Sequence, residues 1–138
     1  MYLIDTNVIS ELTKPAPSAS VLEWFATTPV QQIYICAVTV CEIELGLSLM
    51  PAGKRRAALR AAINGLVQED FASRCLNLDA RCAPLYGELA ANQQRLGRTS
   101  SAEDAMIAAI ALTNKLKLVT RNTKDFEDIK GLTLVNPW

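Results

Sequence analysis

The sequence contains no histidine, and this absence excludes more chemistry than any other feature of its composition. Without an imidazole, the chain lacks the usual general base at neutral pH. Ser-His-Asp and Cys-His nucleophilic sites cannot be built, and neither can a zinc site with histidine ligands. Any chemistry must therefore come from carboxylates, hydroxyls, amines or thiols.

Net charge and closely paired cysteines are missing as well. The 138 residues carry 14 Lys and Arg against 14 Asp and Glu, so the overall balance gives no sign of nucleic-acid binding. No Cys-x-x-Cys pair is present, which argues against a zinc knuckle or a thioredoxin-like site. The four cysteines have apolar neighbours and are predicted to be small core residues: Cys36, Cys41, Cys75 and Cys82.

Long apolar runs are also absent. The longest run, near residues 105–112, is far below the ~20 residues that a membrane-spanning helix needs. No signal-peptide pattern precedes Asp5, so we expect a reduced, cytoplasmic setting without membrane contact. The length, together with a hydrophobic content of 50%, predicts one globular domain that spans residues 1–138.

Strand-like and helix-like segments alternate along the chain. Short runs of apolar and β-branched residues predict strands at 2–4, 32–38, 75–78, 116–120 and 132–135. Helical periodicity predicts helices that end near Leu12 and others at 18–27, 39–50, 54–71, 79–96 and 101–114, with a loop at 97–100. This alternation predicts an α/β fold, in which helices cover both faces of a mostly parallel sheet.

Acids and amides occur where the predicted strands end. Asp5 directly follows the first strand, and Asn122 and Asp125 follow the fourth. Glu42 and Asp104 are expected in the first turns of two later helices. Open α/β sheets bind ligands beyond the carboxyl ends of their strands, so these groups are expected to converge there. Carboxylates without histidine suit a hard cation such as Mg²⁺ or Mn²⁺, which activates water and neutralises charge on a phosphodiester.

The same acids also have a purely structural interpretation. Thr39-x-x-Glu42 is by itself a capping box, and Ser101-x-x-Asp104 is a close variant. Asp5 has the side chain of a helix N-cap. Spacing alone leaves the structural and the metal-binding interpretations open.

Four segments in order carry a resemblance to a known family. Their sequences resemble the PIN-domain family, in particular the VapC/FitB-type toxins of bacterial toxin–antitoxin systems. The segments are Leu3–Glu11, Val38–Gly46, Ala102–Ala109 and Leu118–Phe126, and the closing Asn136-Pro137-Trp138 resembles the end of the FitB branch. The resemblance implies a three-layer α/β/α fold with strand order 3-2-1-4-5.

The resemblance also implies a Mg²⁺- or Mn²⁺-dependent endoribonuclease, whose products carry 5′-phosphate and 3′-hydroxyl ends. The first three family acids correspond to Asp5, Glu42 and Asp104. The fourth position falls either on Asn122, where family members often carry Asp, or on Asp125. An amide binds a cation more weakly than a carboxylate, so the choice between one and two metal ions stays open.

Further polar residues gain expected roles from the same resemblance, and basic residues gain theirs from the distribution of charge along the chain. Four polar positions are expected to orient the acids through hydrogen bonds: Thr6, Asn7, Thr39 and Thr120. The zero net charge also hides a split, because residues 1–50 hold one basic and five acidic side chains, whereas residues 51–138 hold thirteen and nine. Three basic residues near the crevice are expected to hold the RNA backbone: Arg98, Arg121 and Lys124.

Proteins of this kind usually form homodimers and are held inactive by a cognate antitoxin, whose tail lies across the acidic crevice. The resemblance therefore implies an antitoxin, an RNA substrate, and operator DNA that is bound only through the antitoxin. A non-catalytic or weakly active PIN scaffold is the alternative, which Asn122 and the lack of net positive charge favour. A phosphatase is disfavoured because the start reads Asp5-Thr6-Asn7 instead of Asp-x-Asp.

Overall fold

Five parallel strands form the central sheet in the computed structural model, which describes residues 1–98 and 101–138. The strands are β1 Tyr2–Ile4, β2 Ile33–Cys36, β3 Cys75–Leu76, β4 Lys117–Val119 and β5 Leu134–Val135. Their order is β3-β2-β1-β4-β5, which confirms the predicted order and the parallel α/β class.

Helices follow the strands and cover both faces of the sheet. They are α1 Thr6–Leu12, α2 Ala19–Thr27, α3 Ala37–Leu49, α4 Lys54–Gly65, α5 Ala83–Arg95, α6 Ala102–Thr113 and α7 Thr123–Phe126. A 3₁₀ turn lies at Val30–Gln32, and a π-helical segment continues α4 over Leu66–Asp70. No helix within the described ranges has the length and apolar character that a membrane span requires.

Alternate strand residues supply two cores, one on each face of the sheet. Leu3 and Leu118 point into the core that contains Ile107 and Phe126 from α6 and α7. Their neighbours Ile4 and Val119 point into the opposite core, where they meet helices α1, α3 and α4. Side chains of consecutive strand residues point to opposite faces of the sheet. Because helices bury both faces here, the strand sequences are continuous apolar runs instead of alternating ones.

The boundary between β2 and α3 differs from the prediction. The strand ends at Cys36 and the helix begins at Ala37, so the predicted capping box of Thr39 and Glu42 is wrong. Glu42 therefore lies in the second turn of α3 and not in the first. Val38, which was predicted in the strand, is buried within the helix, because tertiary packing outweighs its intrinsic preference.

The predicted start of α5 at Asp79 is also wrong. Asp79 stabilises a turn, in which its Oδ1 accepts a hydrogen bond from the Arg81 backbone N–H at 2.9 Å. The helix begins at Ala83, and Pro84 lies in its first turn. Proline favours this position because it has no N–H to leave unpaired there.

Two smaller predictions have mixed outcomes, and one short helix was not predicted. Cys36 and Cys82 are buried as expected, but Cys41 is exposed on α3 and Cys75 is half-buried. Part of the predicted loop at 97–100, namely Thr99 and Ser100, lies outside the described residues. The short helix α7 was not predicted, since its four residues give too little periodicity to recognise.

Candidate active site

Three of the four predicted acids meet in one open cavity of about 380 Å³ beyond the carboxyl ends of β1 and β4. We call it the acid cavity, and it is lined by Asp5, Thr6, Asn7, Ser10, Glu11, Lys14, Glu42, Asp104, Arg121 and Asn122. Helices α1, α3 and α6 each contribute at least one residue, Asp5 directly follows β1, and Arg121 and Asn122 lie in the loop after β4. The sheet topology thus brings together residues that are far apart in the chain, as expected for this edge of a parallel sheet.

Asp5 is the most tightly held of the acids. It is the N-cap of α1, with its Oδ1 accepting from the Thr6 backbone N–H at 2.7 Å. Its Oδ2 accepts from Asn7 Nδ2 at 2.7 Å and from the Thr120 hydroxyl at 2.8 Å. Burial raises the pKa of the Asp5 carboxyl, and these hydrogen bonds oppose the rise. Asp5 therefore caps a helix and faces the cavity at the same time.

Glu42 reaches the acid cavity from α3. Its Oε2 accepts a hydrogen bond of 2.5 Å from the Thr6 hydroxyl, which orients the carboxylate towards α1. Burial raises the pKa of Glu42, and the nearby charges of Asp5 and Asp104 raise it further. Burial first, and the neighbouring acids second, therefore favour the protonated form of Glu42.

Asp104 lies in the first turn of α6, as predicted. A capping box joins it to Ser101: the Asp104 N–H donates to Ser101 Oγ at 3.1 Å, and the Ser101 N–H donates to Asp104 Oδ2 at 3.2 Å. Burial raises the pKa of Asp104, with additional repulsion from Asp125 and Glu103. The capping box is thus confirmed without removing Asp104 from the acid cavity.

Three of the four predicted orienting residues hold the acids or one another. The Thr120 hydroxyl donates to Asp5, and it accepts from Asn7 Nδ2 at 3.1 Å and from the Asn122 N–H at 3.0 Å. One donor and two acceptor positions are all that a hydroxyl offers, so this group is fully used. Thr39 differs from the prediction, because its buried hydroxyl pairs with Cys36 Sγ at 3.5 Å inside the core.

The fourth acid position of the family pattern falls on one of two residues, Asn122 or Asp125. Asn122 lines the acid cavity itself, at the N-terminus of α7. Asp125 lies outside the wall of that cavity, in a small cleft on another side of Asp104. Its charge still acts on the site, since it contributes to the raised pKa of Asp104.

Of the three predicted RNA-binding residues, the structure brings one to the acid cavity. Arg121 lines it, with the guanidinium carbon 5.5 Å from the centroid of the Trp138 ring. Arg98 forms an ion pair with Asp128 instead. Lys124 is exposed on α7, outside the cavity wall.

Sequence reasoning missed two residues that line the acid cavity, Glu11 in the last turn of α1 and Lys14 just after the helix. The signal was present, because Asn7, Ser10, Glu11 and Lys14 are spaced by 3, 1 and 3 residues and therefore share one face of a helix. Asp5 precedes the same face, so the whole length of α1 borders the cavity.

The donor atoms at this site suit a hydrated hard cation. Within residues 1–98 and 101–138, no three acidic or thiol side chains are arranged to hold a metal ion by themselves. Mg²⁺ does not need such a cage, since it keeps several waters and binds through one or two carboxylates. Oxygen ligands, absent histidine and three acids with raised pKa values all fit an ion of this type.

The parallel sheet of order 3-2-1-4-5 and the acids at the carboxyl ends of its strands agree with the family that a comparison with family models identifies. The family model described as "PIN domain" matches residues 2–132, so the chain belongs to the PIN domain family.

Individual members of the family show which proteins this chain is similar to. The plasmid stability protein StbB of Pseudomonas syringae pv. tomato is 41% identical over 100% of this chain and 99% of its own. The VapC ribonuclease Y4jK of Sinorhizobium fredii is 38% identical over 100% and 98%, and the toxin FitB of Neisseria gonorrhoeae is 33% identical over 100% and 99%. A chain in the solved structure of FitAB bound to an IR36 DNA fragment has a TM-score of 0.89 and 33% identity, with 100% of this chain and 96% of that chain covered.

Proposed function

We propose that this chain is a divalent-metal-dependent endoribonuclease that acts as the toxin of a toxin–antitoxin pair. The observation that carries the proposal is the acid cavity, where Asp5, Glu42 and Asp104 share an open space and all have raised pKa values. Crowded carboxylates of this kind raise one another's proton affinity, and a bound cation would relieve their repulsion.

Asp5, Glu42 and Asp104 are the residues that would hold Mg²⁺ or Mn²⁺, with Asp125 adding negative charge through its effect on Asp104. Such an ion, when bound, supplies an activated water and neutralises the charge that develops on a phosphodiester. The chain's own contribution is orientation. The hydroxyl of Thr6 and the Asn7–Thr120 pair hold the acids in place.

Asn122 and Arg121 would act on the substrate instead of the ion. An Asn122 amide at the cavity wall would donate a hydrogen bond to a phosphate oxygen, and the Arg121 guanidinium would supply positive charge beside it. Ribonuclease activity is proposed by extension from Y4jK, which is named a VapC ribonuclease, and is expected to leave 5′-phosphate and 3′-hydroxyl ends.

The proposed partners are a cognate antitoxin, a second copy of this chain and, through the antitoxin, operator DNA. The neighbouring FitAB structure, which contains DNA, supports the last of these. An apolar groove of about 820 Å³ between α1 and α4, with Leu59, Ile63 and Leu66 among its walls, offers the antitoxin a binding surface. Ser10 and Lys14 line both this groove and the acid cavity, so a bound segment would lead from one to the other.

Cleavage of RNA by the purified, antitoxin-free chain tests the enzymatic proposal. We expect cleavage in Mg²⁺ or Mn²⁺, loss of cleavage in EDTA, and recovery when the metal is restored. Ligation-dependent mapping of the products should detect 5′-phosphate ends. Cleavage that persists in EDTA, or products with 2′,3′-cyclic phosphate ends, would contradict the proposed metal chemistry.

A catalytically silent scaffold is the second candidate, and Asn122 favours it, because this amide stands at the fourth acid position and binds a cation more weakly than a carboxylate. Calorimetric titration of Mn²⁺ into the same preparation separates the two. The enzyme should bind Mn²⁺ in the micromolar to millimolar range, whereas the scaffold should give no heat of binding at millimolar metal.

A further inference from the structure

Glu11 has a buried carboxylate in the wall of the acid cavity that the proposed cleavage chemistry does not use. Its side chain is 7% exposed, and both of its oxygens have a partner. Oε1 accepts from the Ser18 backbone N–H at 2.9 Å, and Oε2 accepts from Lys14 Nζ at 2.6 Å. The Ser18 and Lys14 contacts lower the pKa of Glu11, so it stays charged at neutral pH.

The Glu11 carboxylate holds Lys14 in place but uses only part of its hydrogen-bonding capacity. Its side chain is 52% exposed and lines the acid cavity. An ammonium group has three donors, and Glu11 engages one of them at Oε2. The remaining N–H groups are available to an anion that enters the cavity.

Arg121 lines the same cavity, and it too is held by a neighbour. Its guanidinium carbon lies 5.5 Å from the centroid of the Trp138 ring, and its backbone N–H donates to Asn7 Oδ1 at 3.1 Å. Arg121 and Glu11 both line the acid cavity. Glu11, Lys14 and Arg121 together carry one net positive charge, beside the three negative charges of the metal-binding acids.

We infer that Lys14 and Arg121 form a phosphate-binding subsite for single-stranded RNA in the wall of the acid cavity, with Glu11 as the positioning residue for Lys14. This inference rests on the proposed function, since it assigns a second contact point to the same substrate. A phosphate next to the cleaved bond would bind these cations while the cleaved phosphate faces the acids. Long basic side chains lose rotamer freedom when they bind, and the contacts to Glu11 and Trp138 reduce that loss.

The test is binding of a fluorescein-labelled, mixed-sequence, single-stranded RNA to variants that all carry Asp5→Asn and are kept in EDTA. Fluorescence anisotropy is measured from 50 to 300 mM NaCl. Each lost phosphate contact reduces the slope of log K against log salt by about 0.7 for a single strand. We expect Lys14→Met to reduce the slope by about 0.7 and to weaken binding roughly 5- to 10-fold at 50 mM salt. Lys14→Arg should keep the slope.

Lys130→Met is the matched control, because Lys130 is exposed and lies outside the cavity wall. It should change the slope by much less than Lys14→Met. Equal effects of the two substitutions, or no effect of Lys14→Met, would overturn the subsite. Circular dichroism melting of each variant checks that it is folded.

Glu11→Gln tests the positioning role separately. A merely electrostatic effect predicts tighter RNA binding, because a negative charge next to the RNA is removed. Positioning predicts weaker binding and a smaller slope, although Lys14 keeps its charge. Binding as tight as that of the Asp5→Asn parent would overturn the role of Glu11. If the unsubstituted chain fails to cleave RNA while Lys14 still governs the slope, the proposed function fails and the subsite stands.

Discussion

At the scale of single residues, the buried Thr120 hydroxyl determines how the acid cavity is held together. It contacts the Asp5 carboxylate, the Asn7 amide and the Asn122 backbone, which come from two distant parts of the chain. A buried hydroxyl with three hydrogen-bond partners fixes the positions of all three. If the hydroxyl is removed, these polar groups each lose a hydrogen bond at a site where water cannot easily replace it. Thr120 therefore orients the cavity without facing the substrate itself.

Thr120→Val should consequently weaken both the fold and the activity. We expect unfolding free energy to fall by about 1–3 kcal/mol, because buried partners lose a hydrogen bond. Cleavage should fall by about 10–100-fold, as is usual when the residue that orients a metal-binding carboxylate is lost. Urea denaturation and RNA cleavage rates measure the two effects. The exposed Thr133→Val is the control, and equal losses in both variants would contradict this role.

At the scale of elements, two helix N-termini place acids in the cavity by their capping. Asp5 caps α1, and Asp104 is tied to Ser101 at the start of α6. The requirements of the helix and of the site therefore coincide. The third acid, Glu42, is placed differently, through the second turn of α3 and the hydroxyl of Thr6.

Ser101→Ala should show how much this capping contributes. Loss of the N-cap hydroxyl is expected to cost about 1 kcal/mol of stability and to lower cleavage, because Asp104 is less well oriented. Ser18→Ala is the matched control, since Ser18 precedes α2 but makes no side-chain capping bond. Thermal melts and cleavage assays of the two variants should differ. Similar small effects in both would show that the capping box is dispensable.

The local sequence is enough to predict the helix N-caps, but it does not show where tertiary packing outweighs a residue's intrinsic preference for strand or helix. Asp5 and Asp104 could be placed from strand ends and capping patterns, and the sheet order followed from the family resemblance. The start of α3 could not, because the residues after β2 favour strand locally and become helical only through burial. Lys14 was missed for a related reason, as its role depends on the side of α1 that the sheet edge leaves open.

At the scale of the whole molecule, overall neutrality conceals opposed local charges. The acid cavity concentrates Asp5, Glu42 and Asp104, while Lys14 and Arg121 border the same space. Net charge is therefore a poor guide to nucleic-acid binding in this chain, since RNA binding would depend on the local arrangement of cations and on a bound metal.

The raised pKa values predict how the stability of the metal-free protein depends on pH. The pKa values of Asp5, Glu42 and Asp104 are above their ordinary values of 3.8, 4.5 and 3.8, so the folded state binds more protons than the unfolded chain just above that range. Unfolding free energy should therefore rise as pH falls from 7 towards 5 in EDTA. Below about pH 4.5, Glu11 and Asp79 have the opposite effect, because their pKa values are lowered.

Urea denaturation in EDTA at pH 7, 6 and 5 measures this trend. Glu42→Gln should flatten it, because the variant removes one of the groups whose pKa is raised by burial and by the neighbouring acids. Glu44→Gln, on the same helix but ion-paired with Arg60, is the control and should leave the trend unchanged. A stability that falls steadily from pH 7 to pH 5 would contradict the raised pKa values of the three acids in the metal-free protein.

The most direct test of the central claim is cleavage of RNA by Asp5→Asn in Mg²⁺, compared with the unsubstituted chain and with Glu44→Gln. Asp5 contributes a carboxylate to the acid cavity, whereas Glu44 lies outside its wall. We expect Asp5→Asn to keep the circular dichroism spectrum of the parent and to lose metal-dependent cleavage, while Glu44→Gln retains it. A folded Asp5→Asn variant that cleaves RNA as fast as the parent would contradict metal-dependent catalysis in the acid cavity.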